Sequence, residues 1–226
     1  TIHDHRPVGY EHLLTGLEIW LKPVLESIIS EELLPEDPQK LTELKLFASL
    51  QNARSPSVRE LIRSAIAPHV VKTSNSLIDV SLAEGLLRYP KCDFPMFVDV
   101  YQGLADNLEK LPVFLFLNSD GNFVCPDDPV FLQCENIQSP SHADNSNSSK
   151  TITRVLFPIS SRLLIQFGGS NRKPNRDPIP VDTKAVLQWN KDSVYYSKAV
   201  YGRSKELVEV AAEGWLRDDR DRTAGS

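Results

Sequence analysis

The apolar residues of this 226-residue chain change their period at Pro112, and that change limits the folds open to it. Ahead of it, Tyr10, Leu14, Leu17, Leu21, Val24, Leu25 and Ile28 recur at helical spacing. They predict an amphipathic helix of about five turns, kinked at Pro23. A polar break over Pro35 to Pro38 precedes Leu41, Leu44, Phe47 and Leu50, a second helical run that reaches Arg54. Ser55-Pro56 then restarts the chain, because serine before the one helical position that needs no N–H is an N-cap. Ser57-x-x-Glu60 offers a capping box, and a third helix is expected over Pro56 to Ala67. Leu77 to Leu87 and Pro95 to Leu108 repeat the helical pattern.

Beyond Pro112 the run Val113 to Leu117 is continuously apolar, Asn118 to Asn122 is turn sequence, and Phe123-Val124-Cys125 follows. That order predicts a β-hairpin. Thr153 to Phe157 and Arg162 to Phe167 are two further strand candidates on either side of Pro158 to Ser161. Between them and the hairpin, Asn136 to Lys150 is too rich in serine and asparagine to bury apolar surface, so a mobile loop joining two strands of one sheet is expected. A proline-rich stretch, Pro174 to Pro180, leads into helical sequence over 182–213, interrupted near Gly202, and the charged tail 217–226 should fray. The expected architecture is α+β in a single domain over 1–226. Its helical part (10–110) packs on a small, mainly antiparallel sheet (112–168) and is closed by C-terminal helices.

Charge and cysteine usage narrow the functional classes. Twenty-five basic against thirty acidic residues give a net charge of −5, so there is no global cationic field to draw the chain onto duplex nucleic acid or an anionic membrane. No apolar stretch approaches the roughly 18 residues that a membrane span needs. Cys92, Cys125 and Cys134 lack any C-x-x-C pairing and read as reduced thiols of a cytoplasmic protein. The sequence contains no G-x-S-x-G, Walker loop, G-x-G-x-x-G or H-E-x-x-H. His3-Asp4-His5 and His12 resemble metal-ligand material, but a histidine-bearing terminus is more simply a tail.

What remains are polar residues in unusual places. Projected at 100° per residue, Gln51 and Arg54 fall inside the stripe of Leu44, Phe47 and Leu50. A guanidinium there is either an internal ion pair or a clamp for phosphate or carboxylate. Glu18, at the border of the first helix's apolar stripe, is its natural counter-charge. Asp127-Asp128-Pro129 follows a strand candidate and can be read as a strand-ending turn or as a cation or acid–base site. Because neighbours in extended chain point to opposite faces, at most one of the two carboxylates should enter a common site.

Four stretches in order resemble one family. They are Phe47-Ala48-Ser49-Leu50-Gln51-Asn52-Ala53-Arg54-Ser55-Pro56, Phe123-Val124-Cys125-Pro126-Asp127-Asp128-Pro129-Val130, Phe157-Pro158-Ile159-Ser160-Ser161-Arg162-Leu163, and Trp189-Asn190 leading into Ala199-Val200-Tyr201. Together they look like the mainly bacterial domain of unknown function 4238, over about Gly16 to Val210. The family pattern has Gln-x-x-Arg-x-Pro on a helix, an Asp-Asn-Pro turn after a strand and a Pro-x-Ser segment. Here the middle residue of the turn is Asp128, and the family's leading His-x-x-Pro has only His3, His5 and Pro7 near it, at a different spacing. The resemblance implies that Gln51, Arg54, Asp127 and Ser160 occupy the polar positions of one site.

Two functions follow from that set. One is a non-catalytic interaction or sensing module, in which Glu18, Gln51, Arg54 and Asp127 form an internal network fixing the helices against the sheet. The other is a metal-assisted hydrolase of a phosphate-bearing substrate, nuclease-like or acting on nucleotides. There Arg54 holds phosphate, Asp127 with Glu18 binds Mg²⁺ or activates water, and Gln51 and Ser160 orient the substrate. The first is slightly favoured, with a protein partner or a phosphate-bearing ligand as its counterpart.

Overall fold

The computed structural model describes residues 8–62, 64, 94–137, 149–170, 172–194, 197 and 199–212. The helix expected over Leu77 to Leu87, the interior of the expected mobile loop, His3, His5, Cys92 and the tail lie outside the described residues. Helix α1 (Val8–Glu31), with Pro23 inside it, is followed by α2 (Pro38–Arg54) and α3 (Phe94–Glu109). The N-terminus of α2 is set by its sequence. Asp37 caps it by accepting from the Gln39 amide at 2.9 Å, and Pro38 takes the first position, where no N–H is needed.

The strands are β1 (Val113–Leu117), β2 (Cys125–Pro126), β3 (Phe131–Ile137), β4 (Ser149–Pro158), β5 (Leu163–Gly168), β6 (Ile179–Pro180) and β7 (Val200–Tyr201). Helix α4 (Thr183–Val194) lies between β6 and β7. The main sheet has the order β3-β4-β5-β1-β6; only the β1/β6 pair is parallel, and β2 pairs separately with β7. The fold is α+β, with helices before and after a mostly antiparallel sheet.

The centre of the sheet, β1, β5 and the end of β4, is buried on both faces. Val113, Leu115, Val155, Phe157, Ile165 and Phe167 turn to one side, where they form a single core with Leu21, Ile28, Leu44, Leu50 and Leu108 of α1, α2 and α3. Phe47 of α2 meets Phe157 of β4 with ring centroids 6.2 Å apart. Phe114, Phe116, Leu156 and Leu164 face the other side and pack under Val186 and Trp189 of α4. Trp189 meets Phe116 edge-on at 5.1 Å, stacks on Phe123 at 6.1 Å and carries the Arg154 guanidinium over its ring at 5.3 Å. β1 and β5 therefore read as unbroken apolar runs, as strands covered twice must.

Several sequence expectations change. Phe123-Val124-Cys125 is not the return strand of a hairpin with β1, since β5 and β6 already pair along β1. The turn is fastened elsewhere: the Asn118 carboxamide donates to Val181 O at 3.1 Å and accepts from the Asn122 amide, while the Phe123 amide donates to Ser161 O at 2.9 Å. Phe123 consequently drops into the α4 core. The segment given to a mobile loop begins and ends in strand, because Asn136 pairs with Lys150 and Ile137 with Ser149 at the far end of β3 and β4. The proline-rich stretch supplies β6 beside the parallel edge of β1, and β7 interrupts the expected C-terminal helices before the helical segment 205–212.

Lys45 gives this layer a pH dependence. Its Nζ crosses from α2 to donate to the Glu109 carbonyl at the end of α3, at 2.9 Å, and burial pushes its ammonium below the ordinary lysine range against a partly opposing attraction from Glu109. The native state thus holds this proton less tightly than the unfolded chain. Stability should rise with pH from the folded value up to the ordinary one. Lys45→Met, which keeps the apolar stem, is expected to flatten that rise in melts taken on the alkaline side, up to the ordinary lysine range. A slope identical to wild type rules the assignment out.

Candidate functional site

The first two helices form an antiparallel hairpin through the short connection 32–37, so residues equally far from that connection face one another. Glu18, near the middle of α1, therefore meets the last turns of α2. Arg54 Nη1 is in contact with Glu18 Oε1, and Gln51 Nε2 donates to the same oxygen at 3.3 Å. Gln51 and Arg54 stand three residues apart on one helical face, which is why a single carboxylate can accept from both. The side chains of Arg54 and Glu18 are 27% and 34% exposed, so the pair lies at the rim of the helical core rather than within it.

The chain leaves this pair through a tight double cap. Ser55 ends α2, its amide donating to Asn52 O at 3.0 Å, and begins the next helical segment, 56–62, by accepting the Arg59 amide on its carbonyl and the Val58 amide on Oγ. The N-cap expected at Ser55 is thus present. Ser57 is no partner in a capping box with Glu60; its amide donates to Asp128 Oδ1 at 3.3 Å. A carboxylate against first-turn amides is favoured by both hydrogen bonding and the helix dipole. Through this bond the Asp127-Asp128-Pro129 turn is joined to the Ser55-Pro56 restart of the chain.

Asp127 goes elsewhere. Its amide donates to Ala199 O at 2.9 Å, continuing the β2/β7 ladder, and it makes a further contact of its own. Ser160 shapes the β4–β5 turn, where its Oγ accepts from the amides of Arg162 and Leu163 at 3.2 and 3.1 Å. Arg162 in turn reaches back to Glu32 at the end of α1, 2.7 Å away. The structure brings Glu18, Gln51 and Arg54 into mutual contact; among the described residues no hydrogen bond connects them to Asp127 or Ser160. No three His, Cys, Asp or Glu side chains among the described residues cluster as metal ligands do.

Two residues of evident structural weight escaped the sequence reading. Asp128, and not the expected Asp127, reaches this helix start, where its carboxylate adds a second acceptor beside the Ser55 cap. Asn190, buried at 2% exposure, accepts from the Val124 amide at 3.2 Å and donates to Asn122 O at 2.7 Å, so one carboxamide fastens α4 to the chain entering β2.

A family model described as Protein of unknown function (DUF4238) matches residues 4–206. No curated protein and no solved structure matches the chain. Among the described residues no helix is long and apolar enough to cross a membrane. With nearly its whole length matched, the chain belongs to the DUF4238 family.

Proposed function

We propose that this DUF4238 member is a non-catalytic interaction or sensing module whose Glu18–Gln51–Arg54 network holds the first two helices in register. One observation carries the reading: the Arg54 guanidinium and the Gln51 amide converge on the same oxygen of Glu18. A clamp for phosphate would keep the guanidinium fork available, and a metal-binding Glu18 would keep its carboxylate available. Here each engages the other. The free thiols of Cys125 and Cys134 fit a reducing, cytoplasmic setting for such a module.

Thermal and urea melts test it. Because the pair is partly exposed, Arg54→Ala should cost about 1–2 kcal/mol. Arg54→Lys should recover little of that, since an ammonium cannot reproduce the planar fork. Inorganic phosphate, nucleoside triphosphates and Mg²⁺ should leave the wild-type melting temperature unmoved. A Mg²⁺-dependent rise with a nucleotide that disappears in Arg54→Ala would install the hydrolase reading in its place.

A further inference from the structure

Beside the Ser55 cap lies a pocket of about 170 Å³ whose lining includes the apolar Val58, Val130 and Leu132 and the polar Asn52, Ser57 and Asp128. By volume it holds about six waters, at roughly 30 Å³ each. Asn52 is 6% exposed, and its side-chain carboxamide has no hydrogen-bond partner among the described residues, while its backbone carbonyl accepts from the Ser55 amide. A buried carboxamide without partners is rare enough in folded proteins to need an occupant that satisfies it. Asp128 contributes the second half of the site. Oδ1 is held by the Ser57 amide, whereas Oδ2 has no hydrogen-bond partner among the described residues.

The charge of the occupant follows from these two groups. The place an anion would take at the first-turn amides is already filled by the Asp128 carboxylate. Of the two neighbouring cations in sequence, Arg54 is tied to Glu18, and neither it nor Arg59 lines the pocket. Asp128 is therefore the one charged residue among the described residues lining the pocket, and the Asn52 carboxamide and the hydroxyls of Ser55, Ser57 and Ser193 add neutral polar groups beside an apolar wall. An ammonium has three donors and no acceptor, and its alkyl stem would cover the valines and leucine.

We propose that this pocket binds an organic cation, an ammonium group on a short alkyl stem, between Asp128 and Asn52. The same chemistry is offered by a free small amine and by a lysine side chain presented by a partner protein. The site does not involve the Glu18–Gln51–Arg54 contacts and stands whether or not the module reading above holds.

Titration of the isotope-labelled chain with n-butylammonium, with N-acetyl-lysine amide and with butyrate as the anionic counterpart tests this. Saturable shifts of the Ser57 and Val58 amides and the Asn52 side-chain NH₂ are expected with at least one cation, and none with butyrate. Response to the butylammonium probe alone identifies a free amine as the ligand class, and response to the lysine amide alone identifies a presented side chain. Asp128→Asn keeps an oxygen for the Ser57 amide and removes the charge, so it should weaken binding about tenfold or more while the fold is retained. Asn52→Leu, which fills the pocket with apolar atoms, should abolish it. The proposal is overturned if neither cation gives saturable shifts, which leaves a water-filled pocket, if butyrate binds as well as the cations, or if both variants that remain folded bind unchanged.

Discussion

Phe167→Ala is expected to lower the free energy of unfolding by about 3–5 kcal/mol, the range for emptying a fully buried aromatic site. Phe167 is 0% exposed on β5, opposite Val113 of β1 and Val155 of β4, and it faces the helical layer. The strands around it are paired along their length, so they have little freedom to collapse into the space the ring leaves. For a chain of this size such a loss corresponds to a fall of roughly 10 °C in melting temperature. Urea denaturation with an unchanged m-value would attribute the fall to the native core. A loss under about 1 kcal/mol would mean that the helices do not seat on this face of the sheet.

Asn190→Leu should cost about 2–4 kcal/mol although it adds apolar surface to an apolar surrounding. The carboxamide serves a donor and an acceptor of the main chain, the Val124 amide and the Asn122 carbonyl, at a site with 2% exposure. Leucine preserves the approximate volume but leaves the buried Val124 amide without its acceptor and the half-buried Asn122 carbonyl without its donor, so the cost arises from unmade hydrogen bonds and not from a cavity. The distinguishing readout is local. Hydrogen exchange at the Val124 amide should accelerate far more than at β5 amides, and equal acceleration at both would point to a packing defect instead.

That Asn190 fell within a stretch resembling a family, next to Trp189, was visible in the sequence; what it does was not, because its partners lie 66 and 68 residues away and carry no side-chain signal. Long apolar periodicity was the dependable guide. It located α1, α2, α3, β1, β4 and β5, whose residues must repeat at the spacing of the core they face. The two-residue strands β2, β6 and β7 are set by their neighbours and not by their own composition, and β3, where Phe131 and Leu132 are half-buried and Gln133 and Cys134 exposed, does not alternate clearly enough to stand out. The hairpin failed for a topological reason. A turn sequence shows that the chain reverses, but not which strand occupies the vacated edge.

The site was legible to the same degree. Helical phase put Gln51 and Arg54 on the inner side of α2, and a border carboxylate on α1 was the natural partner for them. Which of Asp127 and Asp128 would turn toward Ser57 depended on the direction of β2, and that direction is fixed by its pairing with β7, far along the chain.

A double-mutant cycle between Glu18 and Arg54 measures the central interaction directly. Glu18→Gln, Arg54→Met and the double variant are compared with wild type by urea unfolding at low and high salt. The expected result is a favourable coupling of about 0.5–1.5 kcal/mol at low ionic strength that shrinks as salt is added, as for a partly exposed ion pair. A coupling indistinguishable from zero at low salt, with each single variant as stable as wild type, would show that Arg54 is not held by Glu18 and that its guanidinium is free for an external ligand.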